Sequence, residues 1–195
     1  MKKRDKYIFL TAGLLFFAWI ARARAAGSRT LTKTAKKTKM LFSNFASPVR
    51  EKLAIIEDSI RQTGAPEDRI KWLLAQVLHE TGVFTAKSKV AELNNNFSGI
   101  KWLNKKHQIA TKGSPVPPGE RVRPASSPIN FYAKFETPAD WARDYYRIVS
   151  TFGTKPIINA TDLKDYVKRL KQNKYFGGPE TVYFKAMTKF LEKLD

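Results

Sequence analysis

The chain has 195 residues, no cysteine, 43% hydrophobic residues, and 36 Lys and Arg against 17 Asp and Glu, a formal net charge of +19. That length suits one domain with a tail, and the lack of cysteine excludes disulfides, thiolate nucleophiles and cysteine-held zinc while leaving the compartment open. The charge asks for an anionic partner, whether membrane surface, nucleic acid or acidic wall polymer, and residues 1–40 carry more than half of it, eleven bases against one acid.

After MKKRDK, residues 7–21 (YIFLTAGLLFFAWIA) run without a charge. At about 1.5 Å per residue such a stretch falls short of a hydrocarbon core of roughly 30 Å, unless Arg22 and Arg24 snorkel and the small residues through Gly27 complete the span. Two readings of residues 1–27 stand. One is an anchor that holds the membrane through residues 7–27; the other is a signal peptide cut after Ala-x-Ala at Ala21 to Ala23 or Ala23 to Ala25. Residues 28–40, rich in Lys, Arg and Thr, read as a basic flexible linker that suits anionic lipid better than nucleic acid.

The folded domain spans 41–195. Ser47 and Pro48 mark a helix start, and Val49, Leu53, Ile56 and Ile60 share one face up to Gly64. Pro66, Glu67 and Asp68 open a second helix, in which Ile70, Leu73, Leu74, Val77 and Leu78 recur at core spacing until Gly82 stops it. Residues 83–93 form a short or irregular connection, and NNNFSGIKW over 94–102 is a turn-rich stretch with apolar anchors. Residues 103–136 change character. A Pro- and Gly-rich turn over 114–119 is followed by Ile129, Phe131, Ala133 and Phe135 with period two, which predicts a small antiparallel lobe. Thr137, Pro138 and Asp140 start another helix, with Trp141, Tyr145, Ile148 and Val149 inward. Two more follow, over about 162–171 and about 180–194. Helices interrupted by a β lobe make a mainly helical α+β fold with a cleft where lobe meets body.

Glu80 lies at the border of the second helix's apolar face, in its last turn. Desolvation there raises a carboxyl pKa, and the helix's C-terminal partial charge pushes the same way, so Glu80 is either a proton donor or a polar residue closing a helix end. His79 beside it suggests the H-E-x-x-H zinc motif, but position 83 is valine and the other histidine is the distant His107. The residues call for no metal and no cofactor.

Four stretches together carry a resemblance. LLAQVLHETG resembles the catalytic-glutamate helix of the bacterial N-acetylglucosaminidases of autolysins and flagellar rod hydrolases, glycoside hydrolase family 73. NNNFSGIK is similar to that family's NLFGIK motif, FETPADWARDYY to its aromatic segment after the β lobe, and KYFGGPETVYFKAM to its GYATDPNYAEKL ending. The resemblance implies a lysozyme-like fold over residues 41–195 and a hydrolase that cuts peptidoglycan between N-acetylglucosamine and N-acetylmuramic acid. It makes Glu80 the general acid and Tyr175 the active-site tyrosine. Phe97, Ser98, Gly99 and Ile100 become the cleft floor, and Glu120 is the best-placed second carboxylate of the lobe. Trp102, Tyr132 and Tyr183 are then either sugar-stacking rings or packing residues. Val83, where the family often has tryptophan, departs from the pattern.

Such an enzyme would be membrane-anchored or exported to a bacterial envelope, or sit in the membrane of a phage virion. Two alternatives are a lytic transglycosylase, which shares the fold and a lone glutamate, and a non-catalytic basic membrane or virion protein.

Overall fold

A computed structural model describes residues 42–84, 89–121, 124, 126–151, 153 and 155–194. The expected anchor and linker, residues 1–27 and 28–40, lie outside the described residues. Among those described no helix is long and apolar enough to cross a membrane, which does not bear on residues 7–27.

Among the described residues, six α-helices and one two-stranded antiparallel sheet make a mainly helical α+β arrangement, as the periodicities predict. Helix α1 (Ser47–Arg61) buries Leu53, Ile56 and Ile60. The helix starts where Ser47 and Pro48 mark it, but Ala46 rather than Ser47 holds the N-cap position, and the Ser47 hydroxyl bonds to Glu51 Oε1 at 3.2 Å. Helix α2 (Glu67–Thr81) buries Ile70, Leu73, Leu74, Val77 and Leu78, with Glu67 and Asp68 in its first turn, where acids complement the helix dipole. It ends at Gly82, whose φ of 55° lies in the left-handed region that glycine enters at least cost. Val83 and Phe84 continue left-handed at φ 61° and 55°, a conformation that strains a β-branched residue.

The connection after α2 contains the short helix α3 (Lys89–Asn94). In the lobe, β1 (Thr111–Pro115) pairs with β2 (Phe131–Lys134), with a bulge between Lys112 and Pro115. Gly113 sits in that bulge, where a Cβ would come within 2.7 Å of the Tyr132 carbonyl oxygen. Residues 100–102 add a third segment: Lys101 bridges Tyr132, Ala133 N–H donates to the Ile100 carbonyl, and Trp102 N–H donates to that of Phe131. The lobe therefore takes in Lys101 and Trp102, slightly ahead of the expected start at 103. Ile129 also departs from expectation, because Pro128–Asn130 forms a single 3-10 turn that delays the strand to Phe131.

The asparagines of 94–96 act as fasteners. Asn96 donates to the Ile100 and Ala133 carbonyls at 2.8 and 2.9 Å and accepts from Ile100 N–H, while Asn95 donates to the Phe135 and Glu136 carbonyls. Buried side-chain amides used this way replace strand pairing that a turn cannot supply.

Helix α4 (Pro138–Thr151) packs against α1, α5 (Leu163–Gln172) against α6 (Glu180–Leu194), and α6 along α2. The Asn44 amide reaches the Lys193 carbonyl at 3.2 Å, so the far end of α6 is tied to residues just before α1. Trp141 is fully buried, stacked on Tyr145 at 5.0 Å and edge-on to Phe97 at 5.0 Å. Helix α4 opens with a reciprocal capping box: Thr137 Oγ1 accepts from Asp140 N–H at 3.1 Å, and Asp140 Oδ2 accepts from Thr137 N–H at 3.2 Å. Thr137→Ala is expected to cost about 1 kcal/mol, read as a fall of a few degrees in the thermal unfolding midpoint.

Candidate active site

Glu80 stands one residue before the end of α2, on the last turn before the glycine stop. It keeps an exposed surface, yet desolvation by surrounding protein raises its pKa. The carboxyl is thus crowded by protein on one side and open to solvent on another. Tyr183 on α6 donates its hydroxyl to Glu80 Oε1 at 2.6 Å. A hydrogen bond to the charged form favours ionisation, so Tyr183 partly offsets the upward shift.

Of the two readings of Tyr183, a sugar-stacking ring or a packing residue, its burial fits the second. Its ring is 5% exposed, stacked on Phe176 at 4.0 Å and packed edge-on by His79 at 4.4 Å, which leaves the hydroxyl as its contribution to the site. Burial pushes the phenol pKa up, and the Glu80 charge adds to this, so Tyr183 remains a proton-bearing donor. Burial also lowers the pKa of His79, which favours the neutral ring beside this pair.

Tyr175 takes a neighbouring place. Its hydroxyl donates to the Ser98 carbonyl at 2.9 Å, and its pKa is raised, first by burial and then by the Glu80 charge. It tethers the 94–102 stretch to the wall around Glu80, whereas the phenol bonded to Glu80 itself is Tyr183. Ser98 and Phe97 are buried: Ser98 Oγ accepts from Trp141 Nε1 at 3.0 Å, and Phe97 packs between Trp141 and Phe84. Their side chains pack into the core and are closed to a ligand, a correction to the substrate-facing cleft-floor role that the resemblance implies for them. Gly99, at φ 66° and with open space where a Cβ would stand, is the position in this stretch where the backbone faces outward.

One turn below Glu80 lies Gln76, which the sequence reading passed over. It is fully buried, and its Oε1 accepts the hydroxyls of Tyr145 at 2.8 Å and Tyr166 at 2.6 Å. Its Nε2 has no partner in bonding geometry among the described residues, although the Tyr175 hydroxyl is close enough to feel it. The signal was available in the sequence: a glutamine within an apolar run, four residues before Glu80, must find polar partners when buried.

Tyr132 and Trp102 fall on opposite faces of the lobe. Lys101 pairs with Tyr132 across the bridge and sets its ammonium 4.0 Å from that ring, so Trp102, one residue on, points to the other face. The two rings cannot line one wall together, which removes Tyr132 from Trp102's side of the lobe. Glu120 ends the single turn Pro118–Glu120, and its side chain lies outside the described residues. Two surface hollows of about 310 and 440 Å³ are lined without Glu80, the first by α1 and residues around Phe84, the second by residues 109–111 and 134–136 with Asp140. The candidate site is marked instead by the Glu80 carboxyl, its pKa raised by desolvation and one oxygen bonded to the Tyr183 phenol.

The glucosaminidase family, described as mannosyl-glycoprotein endo-beta-N-acetylglucosaminidase, matches residues 55–195. The chain belongs to this family. Comparisons with curated proteins and with solved structures give no match. Membership makes the chain a glycoside hydrolase of the peptidoglycan-cleaving kind, and the match runs through α2, the lobe and α6, the elements that bring Glu80, Ser98, Tyr175 and Tyr183 together. Among the described residues there is no cluster of His, Asp and Glu suited to a metal ion.

Proposed function

We propose that the chain hydrolyses the β-1,4 bond between N-acetylglucosamine and N-acetylmuramic acid in peptidoglycan, with Glu80 as general acid. The observation that carries this reading is the Glu80 carboxyl, its pKa raised by desolvation while one oxygen is held by the Tyr183 hydroxyl. Glu80 gives its proton to the glycosidic oxygen as the C1–O bond breaks, and water completes the substitution at C1. The oxocarbenium-like centre is met by a second carboxylate, for which Glu120 is the candidate, or by the substrate's own 2-acetamido oxygen. We place the enzyme at a bacterial envelope or in the membrane of a phage virion, held or exported by residues 1–27, with residues 28–40 as a basic spacer.

The test is mass spectrometry of fragments released from purified peptidoglycan, with Glu80→Gln in parallel. Reducing N-acetylglucosamine ends, absent with the variant, support the proposal. Anhydromuramic ends would move the chain to transglycosylase chemistry, and no release from several wall types would leave only the family assignment.

Tyr183→Phe tests the site's electrostatics. Removing the donor raises the Glu80 pKa further, and a general acid works below its pKa, so the alkaline limb of the kcat/KM profile is expected to move to higher pH. An unchanged limb would mean that Glu80 is not the group whose ionisation sets it.

A further inference from the structure

Trp102, Phe131 and Lys112 form a cluster on the lobe that the proton-transfer chemistry leaves unused. The pairing Lys112 with Ala133, together with Lys101 with Tyr132, sets Ile100, Trp102, Phe131, Ala133 and Lys112 on one face of the three-segment sheet. The inner end of this face is core: Ile100 and Ala133 are buried, and Phe135 continues the row. Its outer end emerges, with Trp102 and Phe131 half-exposed and Lys112 exposed. The face that meets the helical body thus projects past it.

Lys112 is held there by rings rather than by an acid. Its ammonium lies 3.7 Å from the Phe131 ring centre and 5.9 Å from that of Trp102, a cation–π arrangement that orients the charge while leaving N–H donors for a ligand. Among the described residues no ion pair involves it. The cluster is joined to the Glu80 region through the chain: Tyr175 grips the Ser98 carbonyl, and four residues carry the backbone from Ser98 to Trp102, no more than roughly 14 Å. That is a few sugar units along a glycan.

We propose that Trp102, Phe131 and Lys112 form a subsite for an anionic sugar unit, with an aromatic ring packing on the sugar and Lys112 pairing with a carboxylate. The proposal rests on the peptidoglycan reading above. In that polymer the carboxylate belongs to the stem peptide or, where the peptide has been removed, to the freed muramic acid lactyl group, while N-acetylglucosamine is neutral. Lys112 then fixes which sugar lies on the lobe side of the cut. Lys101 cannot substitute for it, because it lies on the opposite face with Tyr132.

The experiment uses the full chain in detergent, as wild type and as Lys112→Ala, Lys112→Arg and Lys112→Glu. Each is assayed for kcat and KM, and for co-sedimentation, on intact peptidoglycan, on strands stripped of peptides, and on stripped strands with their carboxyls amidated. Lys112→Ala should raise KM on an anionic glycan about 2- to 5-fold, the scale of one exposed charge pair. Lys112→Glu should do more, Lys112→Arg should restore binding, and the differences from wild type should vanish on the amidated strands. An effect on stripped strands assigns the lactyl carboxylate; an effect on intact wall alone assigns the stem peptide. Equal losses on amidated strands, or no loss on either anionic glycan, would overturn the proposal. If the wild type cleaves nothing, the catalytic reading fails, and co-sedimentation still decides the role of Lys112.

Discussion

Glu80→Gln is expected to lower glycan release by about 10²- to 10⁴-fold, the range a positioned general acid supplies, while leaving the fold intact. Glutamine keeps an oxygen that can accept the Tyr183 hydroxyl, now 2.6 Å from Glu80 Oε1, so what is lost is the proton rather than the contact. KM should move much less than kcat, because in the proposed role the carboxyl acts on the leaving oxygen in the transition state. A variant that keeps more than about a tenth of wild-type turnover would remove Glu80 from the acid role.

The same substitution should be stabilising in a pH-dependent way. The folded-state pKa of Glu80 is raised by desolvation, so the folded protein binds this proton more tightly than the unfolded chain. Below the unfolded-state pKa both states are protonated and the variant gains nothing. Above it, ionisation of Glu80 costs stability until pH has passed the folded-state value, so Glu80→Gln should show a higher unfolding midpoint near neutral pH than wild type and an equal one in acid. Thermal unfolding at several pH values reads this directly. Catalytic groups are often held at such a cost.

The second large effect is on stability. Gln76→Leu deprives the buried hydroxyls of Tyr145 and Tyr166 of their shared acceptor, Oε1, and each unsatisfied group costs about 1–3 kcal/mol. A total of about 2–6 kcal/mol is expected, less whatever is recovered because Nε2 is already without a partner among the described residues. The decisive control is Gln76→Leu in a Tyr145→Phe, Tyr166→Phe background, where every member of the cluster is apolar and the substitution should cost much less. Equal costs in both backgrounds, measured by denaturant unfolding, would mean that the hydrogen bonds are not what Gln76 contributes.

Local periodicity made the helices readable. Leu53, Ile56 and Ile60, or Ile70 through Leu78, announce their buried faces from spacing alone, and Gly82 announces its stop. Strand β1 gave no such signal, since TKGSP has neither alternation nor large apolar residues; it is a strand because β2 supplies its partner. The place of Glu80 in the last turn before the glycine stop was legible because it depends on its own helix alone. Its hydrogen-bonding partner was not, since Tyr183 lies 103 residues away and nothing nearby distinguishes it from Tyr175. The faces of Trp102 and Tyr132 depend on strand register, which a one-residue slip reverses, and the turn-rich stretch before them hides it. Gln76 was missed because a lone polar residue in an apolar run reads as noise until its two tyrosines arrive from α4 and α5.

The distance between Glu80 and Tyr183 along the chain also sets an order of events during synthesis. A ribosome makes α2 first and α6 roughly a hundred residues later, and the contact between them is among the long-range pairings that fold slowest. Until α6 has emerged and docked along α2, Glu80 lacks the phenol that orients it, and the Asn44 amide lacks the Lys193 carbonyl. The surroundings of Glu80 are therefore completed only when α6 is in place, late in folding. In this member of a wall-cleaving family, the later-made α6 completes the setting of a carboxyl carried on α2, an order written in chain topology.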